Sequence, residues 1–228
     1  MPIPSRIPSV PQQSSKTYVL ELLQRWIVDG TLMDGERISD AAIADRLGIS
    51  RTPVREALLI LESQGFVEIR RGRDTRVRPV HADDLYQLYP PLAALERVAA
   101  RLAMPRMSSD AIQKLQTINE NFARALERRD VFEAMEYDEA FHDLIVDMAD
   151  NQYIATFVAT LQMHIRRLKY RFFSHALPGH TSVLEHQAMI QAFETQDCNT
   201  LEITMESNWL RPMQELVQAI TAFTDQDG

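Results

Sequence analysis

Asp138 and His142 stand four residues apart in the run Asp138-Glu139-Ala140-Phe141-His142, a spacing that stacks a carboxylate and an imidazole on one face of a helix. That face is otherwise apolar. Val131, Met135, Ile145 and Ala149 share it, while Glu133, Glu136, Asp143 and Asp147 take the opposite side. A carboxylate turned into a helical core without a partner is strongly unfavourable, so something must satisfy it. Two chemistries can: a hydrogen bond to His142 or to an arginine, or a divalent cation held by both side chains. His186 shares a face with Val183, Ile190 and Phe193, and Asn208 aligns with Leu201, Met205 and Pro212. Asp138, His142, His186 and Asn208 thus come from three helices and can converge in a bundle core, where such folds build ligand and metal sites.

A second constellation lies in the run Gly48-Ile49-Ser50-Arg51-Thr52-Pro53-Val54-Arg55-Glu56. Before it, residues 41–47 have helical apolar spacing, follow a candidate cap at Ser39 and stop at Gly48, which suits a left-handed helix end. Ser50 or Thr52 can cap the next helix, and Pro53 fits its first turn, where a missing N–H costs nothing. Val54, Ala57, Leu58 and Leu61 mark the buried face of that helix. Arg51, Thr52 and Arg55 lie at its exposed start, as donors for guanine edges and phosphates when a recognition helix enters a major groove. After Gly65, a strand over 66–69, a turn over 70–74 and a strand over 75–78 read as a hairpin wing with five arginines in nine residues, Arg70 to Arg78.

The elements that must position these groups divide the chain in two. Net charge is −8, but residues 1–80 carry 12 Lys/Arg against 10 Asp/Glu and the remainder 12 against 22, so a polyanion can be met only by the first part. Residues 1–13, rich in Pro, Ser and Gln, are expected to form a disordered arm. Val19, Leu22, Leu23, Trp26 and Ile27 form the stripe of a first helix beneath the helix-turn-helix. From His81 onward the pattern is helix after helix. Pro90-Pro91 should break or kink the first, the second spans about 109–128, and the fourth turns Ile154, Phe157, Leu161, Ile165 and Leu168 inward. Pro178-Gly179 interrupts, and Pro212 should kink the last helix. The expected fold is mainly α: a winged helix-turn-helix with a small β-hairpin over 14–80, and an all-α six-helix bundle over 81–228. One cysteine excludes an internal disulfide framework, and no run approaches the roughly 20 apolar residues of a membrane span, so a cytoplasmic protein is expected.

The stretches 32–38, 47–58 and 61–67 resemble the winged helix-turn-helix of GntR-type bacterial transcription regulators over about residues 14–80. The resemblance implies a double-stranded operator as partner, met by Ser50, Arg51, Thr52, Pro53 and Arg55, with Arg71 and Gly72 at the wing tip. Ala41 departs from the pattern, since some members carry an arginine there. Residues 82–222 are similar to the helical ligand-binding domain called FCD, on the motifs Asp138-Glu139-Ala140-Phe141-His142 and Glu185-His186-Gln187-Ala188-Met189-Ile190. That likeness implies a divalent ion, often zinc or nickel, held by Asp138, His142, His186 and a last histidine, whose place Asn208 takes. An amide oxygen is a harder and weaker ligand than imidazole, so the site can prefer another metal, hold it weakly, or bind the effector directly. His164 is a further candidate ligand. The resemblance also implies a small organic acid as effector, with Arg167 or Arg171 as counter-charge, and a homodimer on a pseudo-palindromic site. The alternative is a helical metalloenzyme fused to a DNA-binding module, in which the inward seams offer no carboxylate besides Asp138 to act as base.

Overall fold

The computed structural model describes residues 15–70, 74–172 and 179–224. The expected arm over 1–13, the wing-tip residues Arg71 and Gly72, and Pro178 lie outside the described residues. The chain forms two compact units, one comprising residues up to His81 together with Arg166–Phe172, the other comprising the rest.

In the first unit, α1 (Ser15–Val28), α2 (Asp40–Leu47) and α3 (Arg51–Ser63) precede the strands β2 (Val67–Arg70) and β3 (Asp74–Val77). A two-residue strand, β1 (Arg37–Ile38), lies before α2 and pairs with β3, giving an antiparallel sheet in the order β1-β3-β2. So short a strand leaves no alternation to read, which is why only a hairpin was expected. Helix α2 starts at Ser39, whose hydroxyl accepts from the Ala42 N–H at 3.2 Å, and ends at Gly48 in the left-handed region, φ 67°. Ser50 occupies the cap position of α3 in extended backbone but makes no side-chain cap bond, and Thr52 lies within the helix. Val54, Ala57, Leu58 and Leu61 of α3 are buried, and α3 packs against α1, whose buried residues are Val19, Leu22, Leu23, Trp26 and Ile27.

In the second unit, six α-helices are present among the described residues: α4 (Asp84–Ala103), α5 (Ser109–Glu127), α6 (Val131–Met148), α7 (Gln152–Phe172), α8 (His180–Thr195) and α9 (Cys198–Thr224). The last residues of α7, Arg166–Phe172, group with the first unit rather than with the bundle, where they were expected. Helix α4 packs on α9 and α6, α5 on α6 and α8, and α8 on α9. Side chains of Ser108 and Asp130 cap α5 and α6.

Of the break or kink expected at Pro90-Pro91 the break is absent, and the inward placement of Phe157 requires correction. Helix α4 runs unbroken through Pro90-Pro91, because the carbonyls that lose their donors belong to Tyr86 and Gln87 on the exposed side, while buried Leu85, Tyr89 and Leu92 hold both halves to the core. Phe157 is 60% exposed, since the buried stripe of α7 is Ile154, Val158, Ile165 and Leu168, and Phe157 sits one position off it.

Neither Gly48 nor Gly179 would bring an added Cβ into a close contact, and Gly48 alone of the two has positive φ. Gly48→Ala should therefore destabilise the protein by about 1 kcal/mol through backbone strain, and Gly179→Ala should not. Urea unfolding of both variants checks this, and equal shifts would contradict it.

Candidate functional site

Helix α6 delivers Asp138 and His142, α8 delivers His186 and α9 delivers Asn208, and all four side chains are buried. The ligand atoms of Asp138, His142 and His186 lie within 4.8 Å of one another. Three of the four expected groups thus form one cluster. Nε2 of His186 faces Oδ1 of Asp138 at 3.6 Å, and Nε2 of His186 and both ring nitrogens of His142 are buried with no aligned hydrogen bond among the described residues.

The fourth group, Asn208, is turned by its amide nitrogen, which donates to Oε2 of Glu185 at 2.8 Å. Arg211 holds the same glutamate through two contacts, at 3.0 and 2.8 Å, and also donates to Ser182 and Glu215.

Sequence reasoning missed a second buried carboxylate. Glu96 on α4 is fully buried, with Oε2 placed 2.6 Å from Nδ1 of His142 and 2.9 Å from the indole N–H of Trp209, while Gln162 donates to Oε1 at 3.2 Å. Its signal was present: Leu85, Tyr89, Leu92, Glu96, Ala99 and Ala103 follow at steps of three and four, and only an expected break at Pro90-Pro91 hid the stripe. Asn119, buried on the same helix as Leu115 and Phe122, was not singled out from the sequence either.

The two imidazoles are electrostatically unequal. Burial opposes charge on His142, but the Glu96 carboxylate, with Asp138 and the Asn208 amide behind it, outweighs that and raises its pKa above the usual histidine value. Burial, the neighbouring His142 and Arg211 together push His186 well below it. His186 is therefore neutral opposite a carboxylate. A carboxylate and two imidazoles with ligand atoms this close in a buried core form an arrangement that fits a bound cation. The donor set is one carboxylate and two imidazoles, with an amide nearby, which suits a borderline divalent ion.

At the other end of the chain, Ser50, Arg51, Thr52 and Arg55 are exposed at the start of α3, with Pro53 half-buried beside them. Arg51 and Arg55 both bind Asp40 at the start of α2, at 2.8 and 2.6 Å. Partial burial by itself works against the Asp40 charge, yet the two guanidinium groups hold its pKa below the usual carboxylate value. Each pair is exposed enough to be worth little in stability, but together they hold two cations on one face of the helix N-terminus.

Residues 16–77 match the family described as bacterial regulatory proteins, gntR family, and residues 84–211 match the FCD domain, more than half of the chain. The chain belongs to the GntR family. It is a DNA-binding transcription regulator with a ligand-binding FCD domain, and its relatives are named as regulators rather than enzymes. It is 26% identical over 210 residues to the HTH-type transcriptional repressor RspR of Escherichia coli K12, covering 92% of each chain. It is 30% identical over 163 residues to the Glc operon transcriptional activator of the same strain, covering 63% of each. Among solved structures, E. coli McbR/YncC has the same fold, with a TM-score of 0.76 and 20% identity over 91% of this chain and 99% of that one.

Within this GntR regulator, Arg167 and Arg171, expected as the effector's counter-charge, have Asp34 of the first unit as a partner. Arg167 is buried with its guanidinium 2.5 Å from Asp34 and 2.6 Å from the Arg78 carbonyl oxygen, and Arg171 lies 3.7 Å from Asp34. Both sit on the segment of α7 that belongs to the first unit, which helical periodicity does not reveal. His164 is outside the cluster of candidate ligands. Among the described residues, no helix is long and apolar enough to cross a membrane.

Glu96→Ala would leave the Trp209 and Gln162 donors and His142 without their shared acceptor, and should cost about 3–5 kcal/mol in urea unfolding. Glu96→Gln, which keeps an acceptor, should cost clearly less.

Proposed function

We propose that this GntR regulator binds a pseudo-palindromic operator as a homodimer in the cytoplasm, and that a small organic acid in a metal-containing pocket of the FCD domain controls its affinity for that operator. Arg51, Thr52 and Arg55 read base edges and phosphates in the major groove, flanked by Ser50 and Pro53, with Arg71 and Gly72 as contacts from the wing tip. Two such helices in a symmetric dimer meet successive major grooves about 34 Å apart. Support comes from the exposed start of α3, where Asp40 gathers both arginines before any DNA arrives.

In the FCD domain, Asp138, His142 and His186 hold a divalent ion, zinc or nickel being the candidates, with Asn208 as a weak fourth ligand or as a contact to the effector. The observation that carries this reading is the buried convergence of Asp138, His142 and His186, whose ligand atoms lie within 4.8 Å of one another. When bound, such an ion supplies an electrophilic centre for the carboxylate of an organic acid. Effector and operator binding are then linked, so each changes affinity for the other by the same factor. An enzymatic role for the cluster has no support from Glu96, because its oxygens are already engaged by His142, Trp209 and Gln162.

In gel shifts on upstream DNA, Arg51→Ala and Arg55→Ala should each lose about 1–3 kcal/mol of discrimination between operator and unrelated DNA. Undiminished preference in both variants would remove the recognition assignment.

Zn²⁺ or Ni²⁺ at about 100 times its Kd should stabilise the parent protein by about 2.7 kcal/mol, seen as a rise in Tm, and Asp138→Ala should abolish the rise. A parent Tm indifferent to both ions would eliminate the metal from this reading.

A further inference from the structure

His186 offers two ring nitrogens, and only the one that carries no proton can face a cation or an effector donor. Nδ1 of His186 lies 3.1 Å from Oδ1 of Asn119, and the amide nitrogen of Asn119 donates to the Val183 carbonyl oxygen at 3.1 Å. The carbonyl of Val183 can only accept, so it determines which end of the Asn119 amide it meets. A flipped amide would set two oxygens against each other and leave the amide NH₂ against the ring. With the amide oxygen at the ring, Nδ1 must be the donor. Nε2 then carries the lone pair, and it is Nε2 that faces Asp138. The ring plane is set independently, by stacking on Phe141 with centroids 3.9 Å apart and planes 7° apart. Stacking leaves open which nitrogen is protonated; the amide closes that choice.

We propose that Asn119 is a positioning residue that locks His186 as its Nδ1–H tautomer and so presents Nε2 to the centre shared with Asp138 and His142. It sits on α5, a helix that contributes none of the expected ligands, and it is 4% exposed. On the opposite side Glu96, from α4, meets Nδ1 of His142 at 2.6 Å, so both imidazoles have a partner behind them on their Nδ1 side, one neutral and one charged. Groups of this kind orient imidazole ligands, and losing one weakens metal binding by about 10–100-fold.

The assignment of the tautomer does not depend on the metal, and the test keeps the two apart. The full chain, labelled with ¹⁵N-histidine and treated with chelator, is measured by long-range ¹H–¹⁵N correlation spectroscopy near pH 8. The parent should show His186 with a protonated Nδ1 and a bare Nε2. Asn119→Ala should convert it to a mixture or to the Nε2–H form, while Asn119→Asp, which keeps an acceptor at the ring, should retain the parent pattern. The same three proteins are then titrated with Zn²⁺ against a competing chelator, and Asn119→Ala should bind about 10–100-fold more weakly than the parent. An Nε2–H pattern in the parent, or an unchanged pattern in folded Asn119→Ala, would overturn the proposal. Absence of Zn²⁺ and Ni²⁺ binding by a parent that shows the bare Nε2 would support the tautomer assignment and refute the metal reading.

Discussion

Two carboxylates, Glu96 and Asp138, lie buried in a helical bundle whose core is mostly apolar, and the buried polar groups of the second unit gather around them. Removing a carboxylate from water is costly, and the cost is offset only by closely placed donors or positive charge. Glu96 receives its compensation within the chain, from an imidazole, an indole and an amide. Asp138 lies 3.6 Å from Nε2 of His186 and, like Glu96, favours the charged form of His142, and its ligand atom lies within 4.8 Å of those of both imidazoles.

The same physics takes another form at the DNA-binding end. Arg51 and Arg55 gather on Asp40 in a largely exposed setting, where water screens the pairs and their separation is inexpensive. Weak, solvated pairing suits groups that must exchange partners when a polyanion arrives. Strong, dry pairing suits groups that must stay, as Glu96 and His142 do. A single chain of net charge −8 accommodates both because its positive surface is confined to the first unit.

Much of the fold was legible because its signals are local. Ser39, Gly48, Pro53 and the spacing of Val54, Ala57, Leu58 and Leu61 bound two helices and a turn through cap chemistry and period, and the structure has them there. The inward placement of Asp138, His142, His186 and Asn208 was legible for the same reason, since the helical period alone sets which face a side chain shares. Pro90-Pro91 shows where a local rule fails: packing of Leu85, Tyr89 and Leu92 outweighs two missing hydrogen bonds on a wet surface.

By itself, then, the sequence determined the two-part architecture, the helix-turn-helix segment and the set of polar groups turned toward a core, all properties carried by neighbours within a few turns of chain. Only the tertiary structure decided which partners those groups meet. Glu96 reaches His142 and Trp209 across more than forty residues of chain, Asn119 reaches His186 across 67, and Arg167 reaches Asp34 across 133. The reason is that helical periodicity specifies a face, whereas the choice of partner depends on how helices pack, and packing is settled by the whole core at once.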